Sequence, residues 1–247
     1  MAAQSGLYEV CNEIVAHRRA SRSPRRDDLL ALLLAAREEG EALTDAEVRD
    51  QILIFLLAGH ETTSTALTFT LHLLGRHPEV QDLVRSEVMS VIGDRPPMAA
   101  HVRSMTYTTA ALQEALRLYP SAPLIGRLSV ADDEICGYHV PAETEVALVP
   151  WVIHRRADLW PDPLRYDPAR FVPPVPKDRH RYAWMPFGGG PRGCIGQHFS
   201  ITESVLALAM IVRGFTLEAV GDSDRVPVDS AITIRPVQPV LSRVAAR

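Results

Sequence analysis

Phe187-Gly-Gly-Gly-Pro-Arg-Gly-Cys-Ile-Gly196 is the stretch on which the reading turns. It sets Cys194 between a glycine-rich loop and the run Ile195 to Val212, whose apolar residues recur with the 3.6-residue period of a helix. A helix start favours a thiolate, because unpaired backbone N–H groups and the positive end of the helix dipole both stabilise negative charge. The glycines let the backbone approach a flat cofactor and take up positive φ. Arg192, two residues before the cysteine, offers a cation suited to a carboxylate on that cofactor. Gly188, Gly190 and Gly193 also spell G-x-G-x-x-G, the dinucleotide-binding pattern. Context excludes that reading: a proline-rich segment stands where a strand is required, and Glu203 lies too close, on the predicted helix.

Outward from the loop, WPDPLRYDPARFVPPVP from Trp160 to Pro176 is too rich in proline to propagate a helix or a sheet ladder. The region from Trp160 to Pro191 is therefore expected to be an ordered meander held by side chains, with Trp160, Phe171 and Trp184 packing in the core or at a cofactor edge. Earlier, GRLSV, EICGYHV and TEVALVP read as short strands between Gly, Pro and Asp breakers, and the tail after Phe215 alternates in the same way.

The first half reads as nearly all helix. One amphipathic helix is expected from Ser5 to about Arg19, closed by the polar SRSPRR, and a second from Asp27 through LLALLLAAREEG to Gly40. Thr44 followed by Glu47 is a capping box, and opens a long helix that runs to about Gly75. Pro78 suits the first turn of another helix, and Thr106 to Leu118 gives a further one that stops before Pro120. The fold class is mainly α with small β-sheets, α+β.

With 247 residues, 47% hydrophobic and 23% charged, the chain has the composition of a globular protein with a sizeable core. A net charge of −4 and only a brief basic run, Arg18, Arg19, Arg22, Arg25 and Arg26, argue against nucleic acid as a partner. Cys11, Cys136 and Cys194 are odd in number and far apart, so no disulfide framework or structural zinc site is indicated, and a cytoplasmic location is expected. The longest apolar run, Ile52 to Gly59, is far below the roughly 20 residues that cross a bilayer, so no membrane span is expected.

Phe187, Gly190, Arg192, Cys194 and Gly196 fill the signature F-x-x-G-x-R-x-C-x-G, and with it the sequence resembles the cytochrome P-450 superfamily of haem-thiolate monooxygenases, its soluble bacterial members in particular. The resemblance implies haem b as cofactor and Cys194 as ligand of its iron. Glu114 and Arg117 face the same way at i, i+3 on a predicted helix, which by itself also describes an ordinary solvated pair. EALR matches the family's E-x-x-R motif, and Arg170 in DPARF matches the third member of its Glu-Arg-Arg cluster, whose role would be structural. Arg127 lies where the family commonly places a second propionate-binding arginine, the alternative being an exposed strand residue. Ala58-Gly-His-Glu-Thr-Thr63 matches [AG]-G-x-[DE]-T-[ST], which gives Glu61 and Thr62 proton delivery during oxygen activation and leaves His60 as a helix-surface residue.

The activity so implied is reductive activation of dioxygen with electrons from a ferredoxin or flavoprotein-reductase type of donor, oxidising an apolar small molecule. The match covers residues 1–247 as a single partial domain, helical over 1–119 and built of small strands, meander, cysteine loop, final helix and closing strands over 120–247. The family's N-terminal part is absent, and a partner chain supplying it is one expectation. The alternatives are a truncated, non-catalytic haem-binding fragment and a haem-free interaction protein that retains part of the fold.

Overall fold

The structure, a computed structural model, describes residues 2–21, 28–38, 40–221 and 225–247. Its contacts divide the chain into two units, residues 1–61 and 62–247. The long helix belongs to both, changing unit between Glu61 and Thr62.

The first unit opens with α1, Ala2–Ala20. Arg22, Ser23, Pro24, Arg25, Arg26 and Asp27, which carry the expected polar break and the expected helix start, lie outside the described residues. Asp28 caps α2, Leu29–Ala35, its carboxylate accepting the Ala31 N–H at 2.9 Å. That helix ends well before Gly40, a correction to the sequence reading. Ala36 takes an extended conformation, and β1, Arg37–Glu38, pairs antiparallel with β2, Glu41–Ala42. Gly40 turns the chain between them at φ +91, a conformation open to glycine; Glu39 lies outside the described residues.

α3, Asp45–Arg76, starts on the expected capping box. Glu47 Oε2 accepts the Thr44 N–H at 2.7 Å, and Thr44 Oγ1 accepts the Glu47 N–H at 3.3 Å. Arg18 grips Asp28 through two 2.8 Å bonds, and Arg19 pairs with Asp45 at 2.6 Å. Among the described residues, Cys11, Val15, Val48 and Leu53 are the buried apolar ones of this unit. By length and composition alone α3 could cross a membrane. That departs from the eight-residue apolar run read in the sequence, because Thr, Ser and Gly interrupt the run without ending the helix.

In the second unit α3 is a core helix, with Thr63, Thr65, Ala66, Phe69, Thr70, Leu73 and Leu74 buried. α4, Pro78–Val91, α5, Thr106–Leu118, and α7, Gln197–Gly214, pack with it. Phe69 stacks on Tyr119 with ring centroids 4.2 Å apart, and Val84, Val88, Leu112, Leu208 and Val212 fill the space between the helices. Each such side chain contributes roughly 1.5–3 kcal/mol on burial. Glu87 of α4 accepts the Tyr107 and Thr108 N–H groups at 2.7 Å, so a carboxylate closes the positive end of α5. Gln81, also buried, reads two elements at once: its amide donates to Leu74 and Leu217 carbonyls and accepts the Leu217 N–H.

The strands form five two-stranded antiparallel ladders among the described residues. β3, Ile125–Leu128, pairs with β6, Glu145–Leu148, and β4, Asp133–Ile135, with β5, Tyr138–Val140. A short α6, Pro150–Ile153, follows β6. After α7, β7, Phe215–Ala219, pairs with β10, Ser242–Ala246, and β8, Val228–Ser230, with β9, Ile234–Pro236. Between α6 and α7 the chain carries only turns and two 3-10 segments, Pro168–Phe171 and Gly190–Arg192, as the proline content requires.

Candidate functional site: a cysteine loop on a pinned scaffold

The cysteine loop closes on its own backbone. Cys194 N–H donates to Phe187 O at 2.9 Å and Gly193 N–H to Gly190 O at 3.0 Å. Gly188 and Gly190 both stand at φ +69, the left-handed region that side chains avoid, so the tight path between Phe187 and Cys194 depends on glycine there. No strand leads into Gly188, which removes the dinucleotide-fold alternative. Cys194 is a free, exposed thiol three residues ahead of α7, whose N-terminus has no side-chain cap and so keeps its dipole uncompensated.

Ile195 and Phe199, apolar yet 87% and 73% exposed, follow the cysteine into α7. Gly196 leaves open the space beside it, where a Cβ would stand 3.8 Å from Cys194 Sγ. Arg192 and Arg127 are exposed, and Arg127 Nη1 bonds only its own strand's Gly126 O at 2.8 Å among the contacts described. Ile125 ties β3 to the loop: a Cβ on Gly188 would lie 3.5 Å from Ile125 Cδ1. Ile125 and Arg127 are two apart on one strand, hence on the same face. A soft thiolate donor, an apolar surface and two cations suit a flat, apolar, dianionic iron macrocycle, so these residues fit haem.

Behind the loop, aromatic rings run in sequence from Phe187 to Trp184, Phe171 and Trp160, at centroid distances of 6.1, 5.6 and 5.7 Å. Trp184 Nε1 donates to Gln113 O on α5 at 3.1 Å, and Trp160 Nε1 to Ala183 O at 3.2 Å. The meander is thus held by its side chains, as its sequence leads one to expect.

α5 supplies the anchor. Glu114 and Arg117 are both 0% exposed and joined by two bonds of 2.7 and 2.8 Å. Arg117 spends its remaining donors on the carbonyls of His154, Pro163 and Arg165, at 2.7, 2.7 and 3.1 Å. Glu114 also accepts the Asp167 N–H at 3.0 Å. Arg170 Nε approaches Glu114 Oε1 to 3.3 Å, an ion-pair contact at an angle that does not make a hydrogen bond, while its Nη2 bonds Asp162 O. Burial pushes the Glu114 carboxyl above its usual range, and the hydrogen bonds and charges of Arg117, the Asp167 N–H and the Arg170 charge oppose that rise. The bidentate geometry calls for an ionised carboxylate. The predicted cluster is assembled, and its surface-pair alternative is excluded by the burial.

His154 is the functional partner that sequence reading missed. It is fully buried; its Nε2 accepts the Met185 N–H at 2.9 Å, which leaves Nδ1 to donate to Arg117 O at 3.1 Å. One neutral ring so links the end of α5 to the meander two residues before Phe187. A lone histidine in PWVIHRR carries no sequence signal of this. Burial, above all, lowers its pKa from 6.5 to about 3, with Arg117 and Arg155 adding repulsion. The unfolded chain therefore binds this proton between pH 6.5 and about 3 while the folded chain does not, so stability falls as pH drops through that window. At full extent the loss is on the order of 4–5 kcal/mol. Thermal midpoints measured from pH 7 to pH 4 should show this decline, and His154→Gln, which keeps an acceptor and a donor, should flatten it.

On α3 the hexapeptide Ala58–Thr63 is continuous helix. Glu61 is exposed at the end of the first unit, as is His60 before it, and Thr62 is half-buried at the start of the second. Thr62 O accepts the Ser121 hydroxyl at 2.9 Å, and Thr63 Oγ1 lies 3.2 Å from Ser200 Oγ on α7.

A fold of long helices and small ladders that presents an open thiol on a glycine loop at a helix start, with exposed apolar residues after it and an arginine two residues before it, suits a protein that holds a cofactor through cysteine. Comparison with known proteins identifies its kind. The sequence model of the cytochrome P-450 family matches residues 1–242. The chain is 38% identical over 219 residues to a cyclooctat-9-en-7-ol 5-monooxygenase of Streptomyces melanosporofaciens, covering 88% of this chain and 48% of that protein. Among solved structures it is similar to the haem domain of cytochrome P450DA, with TM-score 0.90, 36% identity and coverage of 98% of this chain and 54% of that one. A retinoic acid-bound cyanobacterial CYP120A1 gives TM-score 0.91 at 30% identity, over 100% of this chain and 57% of that one. The chain belongs to the cytochrome P-450 family of haem-thiolate monooxygenases, and the cofactor of that family is haem. It spans 42% to 49% of the length of the curated relatives it matches.

Proposed function

We propose that this chain is the haem-binding and oxygen-activating part of a monooxygenase, acting together with the sequence that completes the fold, upstream or on a partner chain. The observation that carries this reading is the open Cys194 thiol at the head of an uncapped helix, on a loop that closes through Phe187 O. Cys194 would ligate the iron, Arg192 and Arg127 would take the propionates, and Phe187, Gly190 and Gly196 would line the thiolate side. When bound, haem supplies the reduction of dioxygen, with one oxygen atom passing to the substrate and the other leaving as water.

The chain's own residues handle the protons. Thr62 would pass a proton toward the bound oxygen, and the exposed Glu61 carboxylate, one residue earlier on the same helix, would replace that proton from solvent. Electrons come from a ferredoxin or flavoprotein-reductase type of donor. The substrate we propose is an apolar small molecule, in line with the relative named for cyclooctat-9-en-7-ol and the solved structure that holds retinoic acid. A reducing, cytoplasmic setting accords with Cys136 and Cys194 as exposed free thiols.

A positioned proton donor contributes roughly 10²–10⁴-fold. Thr62→Ala should therefore keep its haem and substrate binding while product per electron falls by at least about tenfold and peroxide rises. Equal coupling in variant and wild type removes Thr62 from the reaction. Haem binding without product from any electron donor favours a non-catalytic haem-binding part.

A further inference from the structure

We propose that Ser121 and Ser200 are positioning residues for the hydroxyl pair of α3, holding Thr62 and Thr63 from two elements at once. This rests on the monooxygenase reading for its chemical consequence, though not for its geometry.

Ser121 sits in the turn between α5 and β3 and is buried, only 7% exposed. Its Oγ–H donates to Thr62 O at 2.9 Å, and its own carbonyl accepts the Ile234 N–H of β9 at 3.0 Å. A carbonyl oxygen has two lone pairs, so Thr62 O can serve both the helical ladder and Ser121. Ser200 approaches the next residue: its Oγ is 3.2 Å from Thr63 Oγ1, which is likewise 7% exposed. Ser200 belongs to the first turn of α7, where its N–H donates to Gly196 O at 2.8 Å, so it is tied to the cysteine loop by one helical bond.

Successive residues of an α-helix are about 100° apart around its axis. Core packing of Ala66, Phe69, Leu73 and Leu74 already seats α3 beyond this point, and anchors on two neighbouring residues, reaching different elements, add a local restraint at Thr62 and Thr63. The direction in which Thr62 Oγ1 points follows from that setting. Since the Ser200 anchor also ends on Gly196, the setting is referred to the loop that carries Cys194. Ser121 spends its hydroxyl proton on Thr62 O and Ser200 Oγ faces Thr63 Oγ1, so their part is to place Thr62.

The test uses the haem-loaded protein and the variants Ser121→Ala, Ser200→Ala and Ser121→Thr. Amide hydrogen exchange, read without turnover, should rise about tenfold at Ala66, whose N–H is the helical partner of Thr62 O, in Ser121→Ala. Product per electron should fall severalfold in each alanine variant, with haem content unchanged, and Ser121→Thr, which keeps a hydroxyl, should restore both readouts. Unchanged exchange in Ser121→Ala overturns the clamp. Raised exchange with undiminished coupling overturns the positioning role and leaves a purely structural bond. A wild type that forms no product sinks the monooxygenase reading, and the positioning role with it, while the exchange data still decide whether the clamp exists.

Discussion

Replacing Cys194 with alanine should abolish the thiolate-type Soret absorption of the reduced, carbon monoxide-treated protein while leaving the fold in place. The side chain is exposed, and the bond that closes the loop runs from the Cys194 backbone N–H to Phe187 O, which alanine retains. An exposed substitution of this kind shifts stability by about 0.5 kcal/mol or less. Spectroscopic loss without unfolding is therefore the expected pattern. Cys136 is exposed too, at a hairpin turn between β4 and β5, and supplies the control: Cys136→Ala should leave the spectrum as it was. A wild-type chain that takes up haem yet shows no thiolate-type band would end the assignment of Cys194.

The second large effect is expected at Arg117. Arg117→Leu removes both bonds to Glu114 and leaves the carbonyls of His154, Pro163 and Arg165 without this donor. Breaking a buried pair by removing one partner costs about 3–5 kcal/mol, because the other charge stays behind uncompensated. For a chain of this size that is roughly 6–20 °C in thermal midpoint. Haem retention should fall in parallel, since the meander and the cysteine loop are built on the same anchor. Arg170→Leu should cost less: Arg170 is 10% exposed and touches Glu114 without a hydrogen bond. The double change Glu114→Leu with Arg117→Leu should recover part of the loss, as removing both charges leaves no orphan. Calorimetry on the three variants tests the order, and an Arg117→Leu protein as stable as wild type would remove the anchor role.

Wherever a local rule settled the matter, the sequence was sufficient. Thr44 and Glu47 mark a helix start because each can satisfy the other's backbone N–H, and both bonds are present. The span Thr106–Leu118 was legible because its period is clean and Pro120 forbids continuation. Fixed spacing made the cysteine loop legible as well, since Gly188 and Gly190 adopt the backbone angles that only glycine takes easily. The helix expected to reach Gly40 failed for a tertiary reason. Its charged end, AREEG, has helical propensity, but pairing of Arg37–Glu38 with Glu41–Ala42 supplies backbone bonds that the sequence does not announce.

Burial was the quantity that one-dimensional reading lacked. Glu114 and Arg117 have the same spacing in a solvated surface pair as in a fully buried one, and only packing on α5 decided between them. The same holds for His154, whose neutral state and tautomer follow from Met185 on one side and Arg117 on the other, residues 31 and 37 positions away. Ser121 and Ser200 became legible only once Thr62 and Thr63 had been brought beside them across 59 and 137 positions. Sequence by itself determined the family resemblance, through it the class of cofactor, and the place of the long helices, because motif matches and helix periods depend on residue type and near-neighbour spacing. Which polar groups are buried, and which distant carbonyl or hydroxyl satisfies each of them, was decided by the tertiary structure, because a hydrogen bond's partner is set by where the chain returns.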